Sequence, residues 1–571
     1  MNVPSFDASA SATMTMDQPA PEKLVRRFRQ VVLWPLQLMP IRSEGTQIQR
    51  HWELLEKPGP GNPWHEVVDE FTGDPDEFQE RHYNEFTTFL PHVQRFLYGE
   101  GRTRRGDNLG CLDPGASPMR VFRRDDVAAV RLTSCKGSAP RILSIAHVDL
   151  YFFYDIDIVL LNVEVSAENL TLYEAEDTLY RFARAYPAAW GDEGEGLHCM
   201  HHVEWLAADG TVLAASDAEQ REKFLAFVGQ HRAPRISSHW SFLLKPLVLE
   251  HVEEQGQIRY RLLEYYRMPL MAYLAVENPR SMSRDDFVRL GLITAPGTDQ
   301  PLPYSHRHVA DFEERYCYDR FWEDRPGGPS TRYLCCGHAL VVLGDAQSAL
   351  FTNLEQGVLS QFRHQHFLLF LIAHFQKAAL LMFSDRLVQA LRKLDINDPE
   401  SVKRFKRAIR QNFEIFLRFT HRYWFHEVAD QAQAKALFRM TAQHLGLDPL
   451  YAEVKERIHD MNEYLDSDSL RRQANTVLRL TVVTTFGLIG TVVTGFLGMN
   501  LFAHAEKPLG VKLLYLLLIL VPTIGLTLYT VARSKALSDF LEALSDERLS
   551  ASAKFRALLR VWRRREPPPP R

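Results

Sequence analysis

The sequence has few cysteines, no secretory start and no nucleotide-binding glycine loop, and each absence removes a class of protein. Its 571 residues contain six cysteines, at positions 111, 135, 199, 317, 335 and 336. They are too sparse for a disulfide framework and read as reduced thiols facing a cytosol. The opening stretch MNVPSFDASASATMTMDQPA lacks both an apolar core and a positive start. It does not resemble a secretory signal, Asp7 and Asp17 argue against a mitochondrial one, and residues 1–20 are expected to form a disordered leader. Net charge is −4, so no global field favours nucleic acid or acidic substrates, and no nucleic-acid partner is expected. No Walker loop, dinucleotide glycine motif or Gly-x-Ser-x-Gly elbow occurs in its required context. ATP-driven transport and hydrolase chemistry are therefore unsupported, and the chain is expected to be no enzyme and to carry no organic cofactor.

Two long charge-free stretches stand near the C-terminus. Leu480–Phe502 and Leu513–Ala532 each reach the roughly 20 residues that cross a hydrocarbon core of about 30 Å as a helix. Pro522 and Gly525 in the second are tolerable inside a membrane. Residues 503–512 are the expected extracytoplasmic loop. Arg471, Arg472 and Arg479 precede the pair and Arg533 and Lys535 follow it, against Lys507 and Lys512 with Glu506 in the loop. Positive charge is richer outside the hairpin, which puts both termini in the cytoplasm of a multi-pass protein of the plasma (inner) membrane. The greasy stretch His366–Phe383 is broken by His374, Gln376 and Lys377, so it reads as the buried face of a cytoplasmic helix. The basic residues Lys554, Arg556, Arg560, Arg563, Arg564 and Arg565 form a tail over 533–571 that can lie on anionic lipid with Trp562 at the interface, or simply be solvated.

Before the spans the pattern is that of a soluble protein. RVFRRDDVAAVRLTS, RILSIAHVDLYFFY and DIVLLNVEVS are β-branched and aromatic with turn residues between them, which is strand-like. TLYEAEDTLYRFARAYP has helical spacing and ends at Pro187. An α/β domain is expected over 111–340, after a mixed N-terminal extension at 21–110 and before a helical region at 345–448. Asp448 and Pro449 suit the start of a stalk helix at 449–479. No breaker follows until Gly487, so the stalk is expected to run unbroken into the first span. Tyr451, Val454, Ile458, Met461 and Leu465 recur at alternating spacings of three and four, a seam for lengthwise packing. The fold class is thus an α/β cytoplasmic domain followed by long helices, with a stalk helix continuous into the first of two C-terminal transmembrane helices, predominantly α overall.

The first span ends on Gly498-Met499-Asn500, within LTVVTTFGLIGTVVTGFLGMN. With the two-span layout and the stalk, this motif resembles the CorA-type magnesium transporters of the two-span, Gly-Met-Asn superfamily; the soluble domain fits only in kind. The resemblance implies a homopentameric channel that passes Mg²⁺ down its electrochemical gradient, with Gly498, Met499 and Asn500 as the selectivity filter. It implies a pore lined by Leu480, Thr484, Leu488, Thr491 and Gly495, which share one helical face. Glu506 stands six residues after the asparagine, where the family has a glutamate that attracts ions. Intracellular Mg²⁺ bound between subunits is implied to close the channel, and Glu463, Asp466 and Asp468 are the acidic candidates on the stalk. Self-association, membrane lipid and divalent cations are the implied partners. An amide suits the filter because Mg²⁺ gives up its water reluctantly. Asn500 carbonyls can hydrogen-bond the hydrated ion strongly enough to admit it and weakly enough to release it. Gly498 would supply close backbone approach or an unusual dihedral.

Leu497 stands where the family usually has an aromatic, and His504-Ala505 replaces its Met-Pro, with Lys507 close behind. These departures bear on ion preference, and a Zn²⁺, Co²⁺ or Ni²⁺ transporter of the same superfamily is an alternative. A membrane-tethered regulatory protein without transport is another. HCMHH (198–202) and CCGH (335–338) hold soft ligands suited to zinc, but neither has the paired spacing of a structural zinc site.

Overall fold

The computed structural model describes residues 23–41, 50–56, 62–67, 80–99, 118–252, 256–263, 267–297, 302, 304–395, 398–498 and 508–532. The chain divides into two compact units, residues 1–458 and 459–571.

A 14-stranded sheet organises the first unit. Its path runs Val212–Ala215, His202–Leu206, Ala129–Thr133, Arg141–Phe153, Ile156–Thr171, Leu24–Leu38, Leu270–Val276, Ala339–Asp345, Arg332–Cys335 and Cys317–Tyr318. Neighbours on this path are antiparallel except Leu270–Val276 with Ala339–Asp345, which run parallel. The strand-like stretches read from 119 onward form Met119–Arg124, Ala129–Thr133, Arg141–Phe153 and Ile156–Thr171. The sequence reading set residues 21–110 apart from this domain, yet Leu24–Leu38 lies inside the sheet. Val31 pairs with Glu164 on one side and with Met271 on the other.

Alternate side chains of that strand serve two faces. Phe28, Val32, Trp34 and Leu36 join the core that contains Leu172, Ala175 and Leu179 of the helix Leu172–Arg181. That helix begins with a capping box between Thr171 and Glu174 and ends at Arg181, six residues before the expected stop at Pro187. Val31 and Leu33 point the other way and are buried too. There the helix Phe367–Arg392 packs on Leu24–Leu38 and Ile156–Thr171. Preceded by Val358–Gln361 and a π-helical turn at Phe362–His366, it gives one continuous apolar stretch, Val358–Arg392. Among the described residues this is the helix long and apolar enough to cross a membrane, but 83% of its most apolar window is buried inside the protein. It is the core helix of a three-layer arrangement, as the interrupted hydropathy of His366–Phe383 suggested.

The helix Pro399–Arg422 follows, capped by Asp398, whose side chain accepts from the amides of Glu400 and Ser401. Ala432–Leu445 comes next and stops at Gly446, which takes a left-handed φ of +65°. The stalk helix therefore begins at Leu447, two residues earlier than its expected start, and continues as one element to Gly498. In the second unit Leu509–Ala532 is a further helix, with Pro522 inside it. The expected leader at 1–20 and the basic tail at 533–571 lie outside the described residues.

Two outcomes test this core. Phe375 is fully buried and stacks on Phe153 at 3.9 Å between ring centroids, so Phe375→Ala should cost about 3–5 kcal/mol, read as a lowered thermal midpoint of the solubilised chain. Glu176 is buried with its Oε1 unpartnered. Burial first, and the nearby Asp286 second, push its carboxyl up to about 8 against the pull of Arg289 and Lys23. A raised carboxyl favours the fold while protonated, so this contribution is present below about pH 4.5 and is lost as pH rises through about 8. Glu176→Gln should flatten the fall in thermal midpoint between those values.

Candidate functional site

The second unit's part of the helix Leu447–Gly498 shows two unlike faces. Leu480 and Leu488 are 63% and 66% exposed, and Thr484, Thr491, Gly495 and Gly498 on the same row are exposed as well. On another face Val482 is 4% exposed and Gly490 is buried. A Cβ built on Gly490 would lie 2.7 Å from the Thr523 methyl, so the helix Leu509–Ala532 approaches the backbone here as only glycine permits. At 100° per residue, the Val482–Gly490 face is about 160° from the centre of the exposed row. The neighbouring helix thus covers the side away from the five residues read as pore-lining, and all five share the uncovered side.

The threonines on the row have their protons committed. Thr484 Oγ1 donates to the Thr481 carbonyl at 3.0 Å and Thr491 Oγ1 to the Gly487 carbonyl at 2.9 Å. With the hydroxyl hydrogen turned back onto the helix, the oxygen lone pairs are what these residues can offer outward. The row therefore alternates apolar leucine with oxygen acceptors.

Gly495 and Gly498 have nothing within 4 Å of a built Cβ. Gly498 is the last residue of the helix and is not among the glycines with positive φ. Met499, Asn500 and Glu506 lie outside the described residues. On the same helix Glu463 is exposed, while the side chains of Asp466 and Asp468 lie outside what is described. Among the described residues no group of three or more His, Cys, Asp or Glu side chains converges as a metal site. The pairing of Gly490 with Thr523 was missed from the sequence, although four glycines at 487, 490, 495 and 498 mark a helix built for close contact.

The histidine–cysteine stretches have separate partners. His198 meets the Tyr180 hydroxyl, His201 lies 3.2 Å from Glu219 and His202 lies 3.4 Å from Glu204. Burial pushes the Cys199 thiol up to about 11. In the second stretch Cys336 Sγ lies 3.3 Å from His338 Nδ1. Burial raises this thiol to about 12 and lowers the imidazole to about 3, helped by Arg267, Arg184 and Lys377. Neither stretch brings three such side chains together among the described residues.

Replacing Gly490 by Val should drive the two helices apart and lower the thermal midpoint of the detergent-solubilised protein, by about 1–3 kcal/mol of overpacking. Gly495→Ala, in open space, should leave that midpoint unchanged.

Residues 385–533 match the family model of the CorA-like Mg²⁺ transporter protein. No curated protein and no solved structure gives a significant match.

Proposed function

We propose, from the match of residues 385–533 to the CorA-like Mg²⁺ transporter family, that this chain forms a divalent-cation channel in the plasma (inner) membrane. It passes Mg²⁺ down its electrochemical gradient through a homo-oligomeric, pentameric pore. Helices 480–502 and 513–532 span the bilayer, with both termini cytoplasmic. The observation that carries the reading is the uncovered row Leu480, Thr484, Leu488, Thr491 and Gly495 on the helix that the family model covers. The row leads to Gly498, next to Met499 and Asn500. One hairpin cannot enclose a pore, and copies arranged with this row inward supply one, while Leu509–Ala532 stays outside.

In that arrangement rings of Leu480 and Leu488 form dry constrictions and Thr484 and Thr491 offer oxygens between them. Asn500 amides at the mouth hydrogen-bond the water shell of Mg²⁺, which gives up its ligands reluctantly. Glu506 raises the local concentration of cations. A divalent ion gains about 4.6 kcal/mol per 100 mV of inside-negative potential, enough to drive uptake without ATP. Cytosolic Mg²⁺ held between subunits by acidic residues of the stalk, Glu463, Asp466 and Asp468 among them, closes the pore.

The test is cation uptake into liposomes carrying the purified full chain under an inside-negative potential. Mg²⁺ uptake should appear and fall by about tenfold or more in Asn500→Ala, the scale of roughly 1–3 kcal/mol for hydrogen bonds left unmade. Zn²⁺ and Co²⁺ run in parallel: uptake of these without Mg²⁺ assigns the protein to the other metals of the superfamily. No uptake of any cation by a folded preparation overturns transport in favour of a tether.

A further inference from the structure

The tip of one sheet hairpin grips the end of one helix. Strands Arg141–Phe153 and Ile156–Thr171 are joined by Tyr154 and Asp155, and Asp155 takes a left-handed φ of +68°. The Asp155 side chain is 5% exposed. Its carboxylate accepts from Arg422 Nη1 at 3.3 Å and lies 3.7 Å from Arg418 Nη1. Both arginines stand on the last turns of Pro399–Arg422. The next residue, Tyr423, is fully buried and donates its hydroxyl to the Tyr154 carbonyl at 2.7 Å. Gln376 of the core helix holds this loop from the other side, donating to the Tyr423 carbonyl at 3.0 Å.

The residue after Tyr423 receives the base of the stalk. Trp424 stacks on Tyr451 with centroids 4.3 Å apart and planes at 13°, and Phe416 stacks on the same tyrosine at 5.8 Å. Val454 and Ile458, one and two turns on, are buried. Tyr451, Val454 and Ile458 are the seam residues that the sequence reading gave to lengthwise packing. Tyr451 seats the first turns of the helix Leu447–Gly498 against Phe416 and Trp424 at the end of Pro399–Arg422.

The geometry points to Asp155 as a positioning residue. Through Arg418, Arg422 and Tyr423 it fixes the Trp424 platform on which Tyr451 rests, and so sets the cytosolic cation concentration at which flux stops. This inference rests on the channel reading above and adds to it the residues that seat the gating helix. The burial of Asp155 is consistent with a role in position and not in stability. Burial pushes its carboxyl above the usual range, only partly countered by Arg418 and Arg422, so the charge is held at a cost to the fold. Arg418 and Arg422 are themselves 39% and 46% exposed, and water screens much of what the pair could add to stability.

The test compares the full-length chain with Asp155→Asn, Tyr423→Phe and the double variant, in liposomes, with Mg²⁺ uptake titrated by internal Mg²⁺. Asparagine keeps the shape and accepts a left-handed φ, and Tyr423→Phe removes only the hydroxyl. Each should move the half-inhibitory internal Mg²⁺ concentration by roughly three- to tenfold, with a thermal midpoint equal to or above wild type for Asp155→Asn. The double variant should shift it by less than the product of the two single shifts. Faster amide exchange over residues 447–458 in Asp155→Asn is the accompanying expectation, and it is read without reference to transport. An unaltered half-inhibitory concentration and unaltered exchange in variants that still transport overturn the clamp and leave the channel standing. A wild-type chain that moves no cation overturns the channel, whereas the exchange measurement still decides whether Asp155 seats the helix.

Discussion

The first unit depends on the pairing of Leu24–Leu38 along both edges. Hydrogen bonded to Ile156–Thr171 on one side and to Leu270–Val276 on the other, this strand has no free edge over most of its length, and both its faces must be covered. One face is met by Leu172–Arg181 and the core around it, the other by Phe367–Arg392. Burial at about 25 cal/mol per Å² of apolar surface supplies the driving force, but it has no direction. It cannot by itself say where along the sheet a uniformly apolar helix should stop.

Ion pairs supply that direction. Glu164 of the strand Ile156–Thr171 accepts from Arg29 at 2.7 Å and from Arg363, in the π-helical turn before the core helix, at 3.2 Å. Near the far end Arg386 pairs with Asp157, and Asp385 accepts from Arg261 at 2.9 Å. Charged contacts at both ends of an apolar stretch fix its register on the sheet, and a one-turn slide would leave the nearly buried Glu164 and Asp157 without their arginines. The arrangement also explains how a helix with the hydropathy of a membrane span stays in the core. Its ends are tied to the sheet by groups that a bilayer could not satisfy.

What could be read from the sequence was local. The helical spacing of Leu172–Arg181 and the uninterrupted helix into the C-terminal apolar stretch both follow from residues within a few positions of one another. The strand Leu24–Leu38 was not readable, and Pro35 is the reason, because proline inside a strand argues against it. The structure accommodates it at a change of partner. Pairing to Leu270–Val276 ends at Val32 and pairing to Arg259–Leu262 begins at Leu36, so the missing N–H of Pro35 falls between two ladders. Contacts across hundreds of residues, such as Asp155 with Arg422, leave no local signature. On the candidate site, the row from Leu480 to Gly495 was legible as one helical face, whereas the face opposite was not, since Gly490 gains its meaning only from Thr523.

The two apolar helices show why composition alone does not assign an environment. Phe367–Arg392 is covered on the side facing the sheet and pinned at its ends by charge. On Leu447–Gly498 the apolar part is closely approached at Gly490, while Leu480 and Leu488 stay more than half exposed. Its residues from Leu480 to Gly498 include no charged side chain that could make pairs of the kind that bracket the core helix. Exposed leucines in such a row are the kind of apolar surface that marks a contact with a membrane or with another protein. The threonines between them suit either contact, because Thr484 and Thr491 donate their hydroxyls to carbonyls of their own helix and leave no unpaired donor.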